Sequence, residues 1–373
     1  MNRPVFRVAL AGWGLAGRYF HAPFIAATPG LELAAVATSR QPERELFPSL
    51  QVVPSFDDLV SSPEIDVVVI ATPNRLHVPQ ARAALEAGKH VVVEKPVATA
   101  SAEWSELIAL ASRRHRLLVP FHNRRWDGDF LTVRALLEEE RLGPVHFFAG
   151  VWPRYRPQET KRAGWKAEPD PTAGVLYDLG AHLVDQALLL FGAPEGMSAR
   201  VARLRPDTVN DDWLRITPTF PPTERNPVRV TTLLEVDSLN AAPAPRFHVR
   251  GRDATYEKFG LDPQEAALRE GQMPGAPGWG EEPEENWGTL YGPEAGSRPR
   301  DMFEEIPQTD YVISGPGEYA FAKLVKGLCA GEDVGDIPGL TLRLGEALHT
   351  NPPAPPPLVP PSPYTRECIQ RVQ

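Results

Sequence analysis

Six residues constrain this chain more than any others. Gly12-Trp13-Gly14-Leu15-Ala16-Gly17 reads GxGxxG, directly after the apolar run 5–11 and directly before a helix-like segment over 15–27. The first glycine of such a loop turns the chain tightly, the second lets backbone N–H groups approach a pyrophosphate, and the third lets helix pack on strand. With 29 glycines in 373 residues, the bare spacing arises by chance roughly 0.2 times per chain, so the strand, turn and helix around it carry the inference. That context predicts a dinucleotide seat at the start of an α/β domain.

The next strand, over 31–37, completes a βαβ unit after the turn at Pro29-Gly30. NAD-binding versions place an acidic residue near the end of this strand to bind the ribose 2′-hydroxyl. Here Thr38-Ser39-Arg40 stand instead. Ser39 can donate to a 2′-phosphate and Arg40 can pair with it, so NADP(H) is the expected cofactor. A solvated surface arginine is the alternative.

Residues 65–71 form a continuous apolar run, as a buried parallel strand requires, and lead into Thr72-Pro73-Asn74-Arg75-Leu76-His77. A helix over 78–87 stops at Gly88, and a strand over 90–94 ends in Glu94-Lys95-Pro96. Lys95 thus emerges at the sheet edge where open α/β sheets bind ligands. A helix over 101–115 and a strand over 117–121 close a nucleotide domain spanning 1–121.

The second domain is read over 122–335. Asn123 and Arg125, beside Trp126, are candidate polyol donors, with a packed and ion-paired arginine as the alternative. A helix over 130–140 and a strand over 145–151 follow. Residues 173–191 read as one helix with Asp178, His182 and Asp185 on one face and leucines on the rest. Polar groups on so apolar a helix need partners; a structural histidine beside a carboxylate is the competing reading, and no third ligand of matching type suggests a metal. Short strands over 214–218, 228–236 and 246–249 predict an antiparallel sheet. Residues 263–300, rich in Gly, Pro and Glu, read as an ordered surface excursion. A helix is expected over 317–330 with Gly331 as its stop, and 336–373 reads as an atypical proline-rich tail, densest over 352–363.

Composition excludes several classes. The formal charge is −9 without a Lys/Arg-rich stripe, which argues against a nucleic-acid surface. Cys329 and Cys368 are the only cysteines, so there is no disulfide framework and a cytoplasmic setting is expected. No apolar run approaches the ~18 residues of a membrane span, and the first apolar segment is too short for a signal core.

Taken together, the motifs resemble the Gfo/Idh/MocA oxidoreductases, named for glucose-fructose oxidoreductase and inositol dehydrogenase. The resemblance runs from about Val5 to about Cys329. It rests on Gly12–Gly17, on Ala71-Thr72-Pro73-Asn74 with His77, on Glu94-Lys95-Pro96, and on Asp178-Leu179-Gly180-Ala181-His182. Phe20-His21-Ala22-Pro23, Asn123-Arg124-Arg125-Trp126-Asp127-Gly128-Asp129-Phe130 and Gly260-Leu261-Asp262-Pro263-Gln264-Glu265 look like its NADP-dependent scyllo-inositol dehydrogenase branch. The resemblance implies a doubly wound Rossmann sheet followed by an α/β domain with a large open, mainly antiparallel sheet, often used to build homo-oligomers such as dimers or tetramers. It maps the catalytic lysine, aspartate and histidine to Lys95, Asp178 and His182. It implies cofactor contacts from Gly12, Trp13, Gly14, Leu15, Ala16, Gly17, Ser39, Arg40, Thr72, Pro73, Asn74, His77, Glu94 and Lys95. Substrate contacts are implied for Lys95, Asn123, Arg125, Asp178 and His182. The implied reaction moves a hydride between the nicotinamide and a secondary alcohol or ketone of a polyol such as an inositol, with sugars and cyclic dihydrodiols as other substrates. A cofactor-binding regulator without turnover is the rival from another class. Relatives usually continue past Gly335 into a helix that packs back near the nucleotide domain, whereas this chain turns proline-rich.

Overall fold

Along β1 (Phe6–Ala11), Val8 and Leu10 join one buried cluster while Ala9 and Ala11 join another, and all four are fully buried. A strand whose two faces are both covered cannot alternate apolar and polar, which is why the sequence is unbroken apolar over Val8–Ala11. The same holds for β4 (Val67–Ile70) and for β5 (His90–Glu94) beyond its first residue.

The computed structural model describes residues 5–158, 169–170 and 172–292, together with three further strands as backbone. The helix expected over 317–330, its stop at Gly331, both cysteines and the stretch 352–363 lie outside the described residues.

In the first compact unit, β2 (Leu31–Ala37), β3 (Gln51–Val53) and β6 (Leu118–Phe121) join the three strands above in the order β3-β2-β1-β4-β5-β6, every pair parallel. This is the doubly wound order whose switch point falls between β1 and β4. Helices α1 (Ala22–Ala27), α2 (Phe56–Ser61), α3 (His77–Glu86) and α4 (Ser101–Arg114) connect the strands. Ser55 and Asp58 form a reciprocal capping box that starts α2. The carboxyl ends of β1, β4 and β5 lead directly into Gly12, Ala71-Thr72 and Lys95, so the topology gathers the three motifs at one sheet edge.

The second unit begins at Arg124. Its sheet comprises β7 (Val145–Pro153), β8 (Gly196–Ala202), β9 (Trp213–Phe220), β10 (Val230–Asp237), β11 (Phe247–Gly251), β12 (Thr255–Lys258) and β13 (Thr289–Tyr291), ordered β13-β12-β11-β7-β10-β9-β8. The sheet is mixed and mostly antiparallel: β10 pairs with β7 in parallel, and every other pair is antiparallel. Strict alternation in β9 and β10 buries Leu214, Ile216, Phe220, Val230, Leu234 and Val236 on one face. Helices α5 (Gly128–Glu138) and α6 (Ala181–Phe191) supply Phe130, Val133, Leu183 and Ala187 to the same core.

Over the described part, 263–292, most residues are exposed or half-buried, as in the surface excursion that their composition suggests. After α7 (Gln264–Arg269), the segment through Trp279 belongs to the first unit. Trp279 is buried with its ring 6.0 Å from that of Phe24, and the Arg269 guanidinium lies 5.8 Å from the Tyr19 ring. These two contacts anchor the segment. Of the remainder, 293–300 lies outside the described residues. A small antiparallel sheet joins β14 (Tyr311–Ile313) to β15 (Leu340–Leu344) and β16 (Ala347–Thr350), the last two within the first part of 336–373.

Candidate active site

The glycine loop is built as its chemistry demands. Gly12 has φ of +99°, and a Cβ there would lie 2.6 Å from the Ala71 carbonyl oxygen at the end of β4. A Cβ on Gly17 would run into the Gly12 carbonyl, whereas one on Gly14 would meet nothing within 4 Å. The outer glycines therefore close the turn against the sheet, and the middle one faces open space. The helix expected over 15–27 is a π-helical turn, Ala16–His21, running into α1. The Ala22 N–H donates to the Gly17 carbonyl, and Pro23 has no N–H to continue the ordinary ladder, which favours the wider turn. Within this segment Leu15 is exposed and Ala16 half-buried.

Trp13 is buried, its ring edge-on to Phe47 at 5.6 Å and its Nε1 donating to Glu43 Oε2 at 3.2 Å. Glu43 also pairs with Arg18. Arg40 reaches back to this loop, its Nη1 donating to the Trp13 carbonyl at 3.2 Å, and its backbone N–H donates to Thr38 Oγ1 at 3.0 Å. Ser39 and Arg40 are exposed beyond the end of β2.

At the end of β4, Thr72 Oγ1 lies 2.6 Å from Gln80 Oε1, so the hydroxyl donates. Pro73 is extended and precedes the 3-10 turn Asn74–Leu76. His77 is buried; its Nε2 is 2.8 Å from the Thr72 carbonyl oxygen and its Nδ1 2.8 Å from that of Pro96. Neither ring nitrogen of His77 faces outward to a ligand in this arrangement. Glu94 is buried beside the fully buried His21, with Oε1 2.8 Å from Nε2. Burial pushes the Glu94 carboxyl up, but the His21 hydrogen bond, with the charges of His21, Lys95 and His77, holds it below the ordinary carboxylate value. Lys95 is half-buried and is joined to Pro96 by a cis peptide bond.

In the second unit, a π-helical turn over Leu176–Gly180 precedes α6, so 173–191 is not one uniform helix. Asp178 is half-buried in the π turn and His182 is buried in α6. The even spacing expected from a straight helix holds only from Ala181 onward, where His182 and Gln186 are one turn apart. The His182 ring lies 6.3 Å from the buried Trp152 ring, tilted 31°. Arg125 forms a two-point ion pair with Asp185, at 2.8 and 2.6 Å, so the third polar residue expected on the helix is an arginine partner. Asn123 opens the 3-10 turn Asn123–Trp126 at the end of the first unit. Among the described residues no three His, Cys, Asp or Glu side chains cluster as a metal site needs, and no helix is long and apolar enough to cross a membrane.

Comparison with known proteins agrees with this geometry. Residues 6–122 match the model of the oxidoreductase family with an NAD-binding Rossmann fold, and 130–257 match the GFO/IDH/MocA C-terminal domain. The uncharacterized oxidoreductase YdgJ of Escherichia coli is 39% identical over 334 residues, covering 89% of this chain and 91% of its own. This chain belongs to the Gfo/Idh/MocA oxidoreductase family. The scyllo-inositol 2-dehydrogenase (NADP(+)) IolW of Bacillus subtilis is 34% identical over 285 residues, covering 76% of this chain and 77% of its own. Among solved structures, an oxidoreductase from Bacteroides fragilis superposes with a TM-score of 0.71 at 36% identity, covering 88% of this chain and 91% of that one.

This Gfo/Idh/MocA protein also carries two buried polar residues, Gln186 and Arg246, that sequence patterns do not single out. Gln186 is buried and bridges the second unit: its Nε2 donates to the Arg124 carbonyl at 2.9 Å and its Oε1 accepts from Arg246 Nη2 at 2.9 Å. The guanidinium groups of Arg246 and Arg124 lie 4.8 and 5.2 Å from the Trp152 ring. Arg246 is also 3.5 Å from Asp129, and Arg124 is 3.2 Å from Asp127. Burial pushes the Asp127 carboxyl up to about 8; Arg124 and Arg246 oppose that shift, and Asp262 and Asp129 reinforce it. No spacing rule marks the Gln186–Arg246 pair, because its partners lie 60 residues apart on separate elements.

Proposed function

We propose that this protein is an NADP-dependent oxidoreductase acting on a secondary alcohol or ketone of a polyol such as an inositol. The observation that carries the cofactor assignment is Arg40, which extends from the end of β2 to the Trp13 carbonyl in the glycine loop, where an NAD enzyme would keep a carboxylate. The activity named for IolW agrees with both halves of the reading.

Gly12, Gly14 and Gly17 would hold the pyrophosphate, and Ser39 with Arg40 the 2′-phosphate. When bound, NADP supplies hydride acceptance and donation. The protein's own part is alignment and proton movement. His182 takes the proton of the substrate alcohol during oxidation and returns it during reduction. Lys95 donates to the reacting oxygen and stabilises its alkoxide character as negative charge develops. Asp178 binds a neighbouring hydroxyl or orients His182.

A second substrate class has one observation in its favour. A relative named 1-carboxy-3-chloro-3,4-dihydroxycyclo hexa-1,5-diene dehydrogenase, from Comamonas testosteroni, is 31% identical over 147 residues. Cyclic diols therefore belong on the same panel. Initial rates with inositols, inososes, sugars and cyclic diols, each run with NADPH or NADP⁺ and in parallel with NADH or NAD⁺, test the proposal. Turnover of a polyol with preference for the phosphorylated cofactor supports it; a clear preference for NADH refutes the role of Ser39 and Arg40.

A further inference from the structure

Lys95 is flanked by two pinned residues. Glu94 before it is held by His21, and the carbonyl of Pro96 after it is held by His77. The second contact has an unusual stoichiometry. His77 is 1% exposed, and its two ring nitrogens each lie 2.8 Å from a backbone carbonyl oxygen, Pro96 at Nδ1 and Thr72 at Nε2. These distances are within the ordinary range for N–H···O hydrogen bonds.

Carbonyl oxygens accept and cannot donate. A neutral imidazole has one N–H and one lone pair in either tautomer, so it can satisfy only one of these carbonyls. The other nitrogen would then press its lone pair against an oxygen lone pair inside a buried site. Only the imidazolium offers two donors. The charged and titratable groups acting together here are Glu94, Lys95 and His21, and Glu94 is the anion among them. The N-terminus of α3, on which His77 stands, works against a cation. Two carbonyl acceptors and the Glu94 carboxylate act in the cation's favour.

We propose that His77 is a positioning residue for Lys95 and acts as a doubly donating imidazolium. It ties the peptide that follows Lys95 to the Thr72 turn at the end of β4. Lysine has a flexible four-carbon stem, so a fixed backbone origin restricts where its ammonium can travel. His77 thus couples the Thr-Pro-Asn turn to the lysine without touching substrate. The assignment rests on the reading of Lys95 as the group that holds the reacting oxygen.

The test uses the full-length ¹⁵N-labelled protein at pH 7.5, with His77 signals assigned from the His77→Gln variant. Long-range ¹H–¹⁵N spectra are expected to show both His77 nitrogens protonated. One unprotonated nitrogen overturns the proposal. In parallel, kcat and KM are measured with NADP⁺ and scyllo-inositol for wild type and His77→Gln. Glutamine brings a single amide nitrogen and cannot span both carbonyls, so kcat should fall by about tenfold to a hundredfold, as for a misplaced catalytic group. The KM for NADP⁺ should change less than kcat, and His77→Lys should not restore the rate. An unchanged kcat in folded His77→Gln overturns the positioning role. Absence of wild-type turnover on every polyol would instead refute the proposed function, and the spectra would still decide whether His77 holds both protons.

Discussion

Nε2 of His21 lies 2.8 Å from Oε1 of Glu94, inside the first unit and 73 residues away in sequence. His21 ends the turn that follows the glycine loop, and its ring rests 4.2 Å from that of Phe121 at the end of β6. One buried pair therefore links the phosphate loop, the strand that delivers Lys95 and the last strand of the sheet.

His21→Leu would leave the Glu94 carboxylate buried without this partner. The expected loss is about 3–5 kcal/mol at neutral pH, measured by urea unfolding. Because Glu94 sits below its ordinary value, its contribution is present above the unfolded value of about 4.3 and disappears as pH falls through the folded one. The variant should show a shallower loss of stability below that pH than wild type; equal acid limbs would show that the pair is not stabilising.

Asp127 has the opposite sign. Its folded carboxyl is raised to about 8, so between about pH 4 and pH 8 the folded state holds a proton that the unfolded state has released. Its contribution is complete below about pH 4 and is lost as pH rises through 8. Asp127→Asn should flatten the decline in urea midpoint across that window, and a decline as steep as in wild type would contradict the assignment.

Gln186→Leu removes the hydrogen bonds from Gln186 to the Arg124 carbonyl and from Arg246 Nη2 to Gln186, and strands Arg246 Nη2. Each unsatisfied buried group costs about 1–3 kcal/mol. Thermal unfolding should show a marked drop in Tm, and a change within error would mean that other groups replace the bridge.

Arg40→Ala should raise the KM for NADPH about tenfold or more, the scale of one lost charge-assisted contact, while the KM for NADH stays nearly constant. Parallel titrations of both cofactors give the ratio. An unchanged ratio would leave Arg40 as a loop anchor alone.

Much of the first unit was legible in the sequence. Strands covered on both faces announce themselves as apolar runs, and the glycine loop, Thr72-Pro73-Asn74 and Glu94-Lys95 follow three of them directly. The alternation in β9 and β10 was equally plain, but the parallel pairing of β10 with β7 was not, because pairing partners leave no local signal. The two π turns escaped notice since apolar periodicity barely distinguishes them from α-helix; Pro23 was the clue in the first. Composition marks 264–279 as an ordered surface segment but not its anchor, Trp279 packing on Phe24. Of the candidate site, Lys95, Asp178 and His182 could be named from motifs. The buried pairs His21–Glu94 and Gln186–Arg246 join residues 60 or more positions apart and needed the structure.

The central claim is tested most directly by steady-state turnover of wild type and His182→Ala with NADP⁺ and scyllo-inositol, alongside NADPH binding followed by fluorescence. Loss of the proposed general base should cut kcat by about 10²-fold or more while NADPH binding stays nearly intact. Turnover undiminished in His182→Ala would contradict the account.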